Sequence, residues 1–86
     1  MLAYSATKYQ FLEDAPEIDD HIAAAVKANL HLSPGPSEVA AWRNSVGNAM
    51  ANLLHQSNIP DDVGVAIEYR LNSSRHRIDF LIRSEE

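Results

Sequence analysis

The residues best suited to chemistry sit in two short alternating runs near the C-terminal end. Glu68 and Arg70 belong to the first run, Arg77 and Asp79 to the second. Read as facing strands of a hairpin, the runs set Glu68 opposite Asp79 and Arg70 opposite Arg77, with Cβ atoms ~5 Å apart. Two carboxylates that close repel unless something compensates. A divalent cation is one compensator, because Mg²⁺ takes oxygen ligands. The two arginines are the other, through the diagonals Glu68–Arg77 and Asp79–Arg70. That second arrangement is a charged, solvent-facing square without catalysis, and spacing alone favours it over a metal site.

The elements that position these residues follow from periodicity. Val63, Val65, Ile67, Tyr69 and Leu71 alternate with Gly64, Ala66, Glu68 and Arg70. Ile78, Phe80 and Ile82 alternate with Arg77, Asp79 and Leu81. A period of two on both sides of the polar stretch Asn72-Ser73-Ser74-Arg75 predicts a β-hairpin, with strands over residues 63–71 and 76–83. Placing Ile67 opposite Phe80 and Tyr69 opposite Ile78 puts both apolar rows on one face, as burial requires.

Upstream the period is helical. Ser5 is positioned to cap a short helix over residues 6–13 carrying Tyr9, Phe11 and Leu12. Ala15-Pro16-Glu17 opens a second helix over residues 16–30, with the stripe Ile18, Ile22, Val26 and Leu30 and with Asp19, Asp20 and Lys27 off it. Ser33-Pro34-Gly35-Pro36 breaks the chain. A third helix over residues 36–57 carries Val39, Trp42, Val46, Ala49, Met50, Leu53 and Leu54. Gly47 in its middle costs roughly 1 kcal/mol against alanine and points to a close approach by another element. The expected fold class is α+β, with three N-terminal helices on one face of a C-terminal antiparallel hairpin. Its expected core is Ile22, Val26, Leu30, Val39, Trp42, Val46, Met50, Leu53, Ile67, Tyr69, Ile78, Phe80 and Ile82.

Composition narrows the function. A chain of 86 residues makes one domain. A net charge of −5, from 12 acidic and 7 basic residues, repels phosphate backbones and argues against nucleic acid as a direct partner. The absence of cysteine excludes disulfides, thiol nucleophiles and zinc–cysteine sites. His21, His31, His55 and His76 share no metal-ligand spacing, and no Gly-rich phosphate loop is present. The chain has neither a basic, apolar leader nor a run of ~20 apolar residues, so a cytoplasmic protein without a membrane partner is expected. The acidic pairs Glu13-Asp14, Asp19-Asp20, Asp61-Asp62 and Glu85-Glu86 read as solvated ends and caps that a basic partner would also sense.

The pieces Ile59-Pro60-Asp61-Asp62-Val63-Gly64-Val65-Ala66-Ile67-Glu68-Tyr69 and Arg77-Ile78-Asp79-Phe80-Leu81-Ile82 carry a resemblance. With Tyr4-Ser5, Ser37-Glu38 and Trp42-Arg43-Asn44-Ser45, they resemble the N-terminal region of bacterial Schlafen group 3-like DNA/RNA helicases. That region is similar to PD-(D/E)XK nucleases, in which a helix precedes three antiparallel strands. The resemblance implies that Asp79 is the metal-binding aspartate of the second strand, that Glu38 is a helix carboxylate added to the site, and that Glu68 lies on the first strand. The other half of the motif is an acidic residue, a spacer and a lysine on a third strand. The sequence after Asp79 contains no lysine and runs out at Arg83-Ser84-Glu85-Glu86. Hydrolysis needs a fixed ligand set and a group that orients water, so no nuclease activity is expected.

The expectation is therefore a noncatalytic protein-binding module, a truncated nuclease-like domain without a cofactor. Its second hairpin strand, Ile78 to Ile82, would present an open edge to a protein partner or to a second copy of the chain. The contact residues would be Arg77, Asp79, Leu81 and Arg83, with Asp61 and Asp62 on the preceding turn. One alternative is a small acidic inhibitor of the phage anti-defence (anti-CRISPR-like) type, blocking a basic nucleic-acid channel. Another is a nuclease fragment that holds Mg²⁺ weakly at Asp79, Glu68 and Glu38.

Overall fold

The computed structural model describes residues 1–72 and 75–83, apart from the side chains of Asn72, Arg75 and His76. It is α+β, with helices on one face of a three-stranded antiparallel sheet of order β1-β2-β3. The first element corrects the sequence reading. Leu2–Thr7 is a strand, β1, and α1 spans Lys8–Asp14. Thr7 rather than Ser5 is the N-cap, and its hydroxyl accepts the Gln10 N–H at 3.1 Å. β1 hid from the periodicity because only Tyr4 and Ala6 alternate inward. They lie opposite Ile67 and Val65 of β2, Gly64–Asn72. The Met1 amino group donates to the Tyr69 carbonyl at 2.8 Å, and the Tyr69 N–H donates to the Met1 carbonyl at 2.8 Å.

β2 is thus the central strand, between β1 and β3 (Arg75–Arg83). The β2–β3 register is the expected one: Ile67 faces Phe80, Tyr69 faces Ile78, Glu68 faces Asp79 and Arg70 faces Arg77. The hairpin is not a bare pair, however, since β1 covers the far side of β2.

The helical layer departs from regular α-helix twice. Ala15–Glu17, containing Pro16, forms a 3₁₀ turn, and α2 begins at Ile18 and runs to Leu30. His31 ends α2 in the left-handed conformation (φ 56°), with its N–H bonded to the Lys27 carbonyl at 3.1 Å. The predicted third helix is α3, Pro36–Trp42, then a π-helical stretch, Arg43–Met50, then α4, Ala51–His55. Gly47 lies in the π stretch, where a Cβ would come within 3.0 Å of the Ala15 carbonyl oxygen and 3.4 Å of Ile18 Cγ2. The glycine lets this helix cross the 3₁₀ corner, which is the close approach its position suggested.

The π stretch also changes which residues are buried. Its i→i+5 bonding places an extra residue in the turn. The buried face therefore runs Trp42, Val46, Ala51, Leu54. Leu53, expected in the core, is 63% exposed, and Met50 is only half-buried. Ile82, on the edge strand β3, is likewise 47% exposed. Ile22, Val26, Trp42, Val46, Ile67 and Tyr69 are buried as expected, while Leu30, Val39, Ile78 and Phe80 pack against them partly exposed. Phe11, absent from the expected core, is fully buried and meets Phe80 edge-on at 5.3 Å. Asp19, expected in solvent, is 3% exposed, and Arg43 grips its Oδ2 at 2.8 and 3.0 Å.

Two outcomes follow for stability. Gly47→Val drives methyl groups into a backbone oxygen, so a loss of roughly 2 kcal/mol is expected in urea unfolding. The Tyr4 hydroxyl donates to Asp14 Oδ2 at 2.6 Å, and burial, followed by that carboxylate, pushes its pKa far above the ordinary tyrosine value. The phenol of the unfolded chain ionises near pH ~10 but that of the fold only at higher pH. Stability from Tyr4 is therefore complete below about pH 10 and declines as the pH rises further. Tyr4→Phe should make this alkaline decline shallower in unfolding curves taken from about pH 8 to about pH 11.

Candidate functional site

The sheet has two unlike faces. Tyr4, Ala6, Val65, Ile67, Tyr69, Ile78 and Phe80 turn toward the helices, and the alternate residues of β2 and β3 turn away. On that outer face the four charged residues form a connected cluster. Arg70 Nε lies 2.7 Å from Asp79 Oδ2, so the expected diagonal is made. Glu68 departs from expectation, pairing with Arg70 of its own strand at 3.2 Å. Arg77 instead holds Asp79, with Nε 3.0 Å from Oδ1 and Nη2 3.2 Å from Oδ2. One arginine thus bridges both carboxylates and the other closes on Asp79. The hydrogen bond from Arg77 is the largest influence on Asp79. With the Arg70 contact it holds the carboxyl below the usual aspartate range, against a smaller opposing effect of desolvation.

Glu38, in the first turn of α3, lies elsewhere. Its carboxylate accepts the Tyr69 hydroxyl, and burial followed by that negative charge raises the Tyr69 pKa. Tyr69 is buried on the helix side and meets Trp42 edge-on at 6.0 Å. The three carboxylates that the resemblance implies as ligands therefore lie on two sides of the sheet. Among the described residues no three His, Asp or Glu side chains gather around a point a metal could occupy.

Asp61 and Asp62 belong to the turn before β2, on the α1 side. The Asp61 carbonyl accepts the Tyr9 N–H at 3.0 Å. Its carboxylate lies 4.0 Å from Lys8 Nζ, which is buried and donates to the Ile59 carbonyl at 2.6 Å. Asp61 thus fastens the turn to α1, and Asp62 beside it is exposed.

Arg77, Asp79, Leu81 and Arg83 line one face of β3, and β3 forms an edge of the sheet. In an antiparallel ladder each residue sends both backbone groups to the same neighbour, and successive residues alternate sides. Tyr69 spends its N–H and C=O on Met1. Glu68 and Arg70 therefore turn toward β3, where they meet Asp79 and Arg77. It follows that Arg77, Asp79 and Leu81 bond inward to β2, while Ile78, Phe80 and Ile82 present N–H and C=O at the outer edge.

A groove of about 420 Å³ runs beside that edge, walled by Ser45, Val46 and Met50 of the π stretch and by Ile78, Phe80 and Leu81. The residue that sequence reading missed here is Met50, assigned to the core because nothing in the sequence marked the π phase shift. Leu81 and Ile82 add exposed apolar surface, at 36% and 47%. The opposite edge is less inviting. β1 has six residues and its register is interrupted between Leu2 and Tyr4, whereas β3 has nine in unbroken register. Irregular, short edges resist pairing and long, regular ones invite it.

Comparison with family models, with curated proteins and with solved structures returns no match. Among the described residues no helix is long and apolar enough to cross a membrane. The outer-face cluster makes its own prediction. Arg77→Ala should move the Asp79 pKa, followed by carboxyl NMR, upward toward the ordinary value. An unmoved Asp79 would mean that the Arg77 contact is not made in solution.

Proposed function

We propose that this chain is a protein-binding module without catalysis of its own, which takes an extended segment of a partner at the outer edge of β3. The observation that carries this reading is the nine-residue regular edge, with the backbone of Ile78, Phe80 and Ile82 turned outward beside an apolar groove. Main-chain hydrogen bonds along such an edge supply affinity, and pockets for alternate side chains supply selectivity. Val46, Met50, Ile78 and Phe80 would receive the inward side chains of the added strand. Arg77, Asp79, Leu81 and Arg83 would meet its outward ones.

The engagement of Asp79 by two arginines, with Glu38 bonded to Tyr69, supports a binding role over metal-dependent hydrolysis. If the chain descends from the nuclease-like region it resembles, the fold has outlasted the chemistry. The net charge of −5 favours partners with basic surfaces. A rival reading, which the charge alone favours, is an inhibitor that blocks a basic nucleic-acid-binding protein.

The test is a proline at Ile82, which deletes an outward N–H while sparing the ladder to β2. Peptides of about ten residues, selected for binding to the wild-type chain, should lose at least about tenfold in affinity for Ile82→Pro. The variant should keep its circular dichroism. Peptides indifferent to Ile82→Pro would contradict edge capture.

A further inference from the structure

We infer that the segment completing this edge is β3 of a second copy of the chain, paired antiparallel about a twofold axis at Leu81. This rests on the edge-capture reading above and names its occupant. Outward backbone groups at residues 78, 80 and 82 allow only registers that pair these positions with one another. Centring on Phe80 sets Arg77 opposite Arg83 of the other copy, and centring on Asp79 sets the two aspartates face to face. Both place like charges together, which is destabilising.

Centring on Leu81 does the opposite. Asp79 then faces Arg83 of the second copy, twice by symmetry, and Leu81 faces Leu81. Among the described residues Arg83 makes no ion pair, and it is exposed. On the groove side Phe80 faces Ile82, again twice, as the hydrogen-bonded pairs of the new ladder. Centring on Ile78 also matches charge, Arg77 against Asp79, and sets Ile78 against Ile78, but it puts Leu81 and Ile82 opposite the polar sequence positions 75 and 74. Only the Leu81 register sets both exposed apolar residues of the edge, Leu81 and Ile82, against apolar partners. The product is a continuous six-stranded sheet, twice the three strands of one chain.

The chain contains no cysteine, so a single introduced cysteine reports self-pairing without ambiguity. At the twofold axis the two Leu81 side chains form a non-hydrogen-bonded pair with Cβ atoms about 4.5–5.5 Å apart, close enough for a disulfide after small adjustment. Leu81→Cys should give a covalent dimer on mild oxidation, while Arg77→Cys, on the same face, stays reduced. By light scattering the wild type should be a dimer, and Arg83→Glu should raise its dissociation constant at least about tenfold by setting Asp79 against a carboxylate twice. Crosslinking of Arg77→Cys or Ile78→Cys as readily as Leu81→Cys would overturn the register. A monomer at every concentration that still binds selected peptides in an Ile82-dependent way would overturn self-pairing and leave edge capture standing. A monomer that binds none would remove both.

Discussion

The paired hydrogen bonds between Met1 and Tyr69 fix where this molecule is closed and where it is open. They commit Tyr69 to β1, and strand alternation does the rest. Glu68 and Arg70 must face β3, so Asp79 and Arg77 face back, and Ile78, Phe80 and Ile82 are left at the edge. The same alternation separates the sheet's faces. Tyr69 turns in to Trp42 and Glu38. Glu68, Arg70, Arg77 and Asp79 turn out and neutralise one another. Position on a central strand thus decides both which side chains meet and which backbone groups point to the outer edge.

The helical layer depends on a second constraint, the crossing at Gly47. A backbone oxygen 3.0 Å from where a Cβ would sit leaves room for hydrogen only. The π stretch widens the helix at that crossing and advances its buried face by one residue. Ala51 and Leu54 enter the core in place of Met50 and Leu53. Met50 then becomes a wall of the groove beside β3. The groove is a consequence of how the helix passes the 3₁₀ corner, and it lies against the one long regular edge of the sheet.

Much of this was legible in the sequence. The alternation from Val63 to Leu71 and from Arg77 to Ile82, with the demand that apolar rows share a face, gave the hairpin and its register residue by residue. Gly47 announced a close approach because glycine inside a helix is otherwise a cost. Three features were hidden. β1 has too few alternating residues to compete with a helical reading until the unpaired side of β2 is considered. The π phase shift has no local signature, and regular helical periodicity puts Leu53 and Met50 inside. Asp19 reads as solvent-facing in the sequence because its partner, Arg43, belongs to another helix. Charge pairing on the outer face was half legible: the diagonal Arg70–Asp79 follows from register, but the choice of Glu68 for Arg70 depends on side-chain reach.

Amide hydrogen exchange across β3, read residue by residue as protein concentration is raised, tests the central claim most directly. The account predicts that Arg77, Asp79 and Leu81 are protected throughout, because they bond to β2. It predicts that Ile78, Phe80 and Ile82 exchange rapidly in dilute solution, and that Phe80 and Ile82 slow as the edge is taken up by another strand. Protection of Ile78, Phe80 and Ile82 already in dilute monomer, or rapid exchange of Phe80 and Ile82 at every concentration, would contradict it.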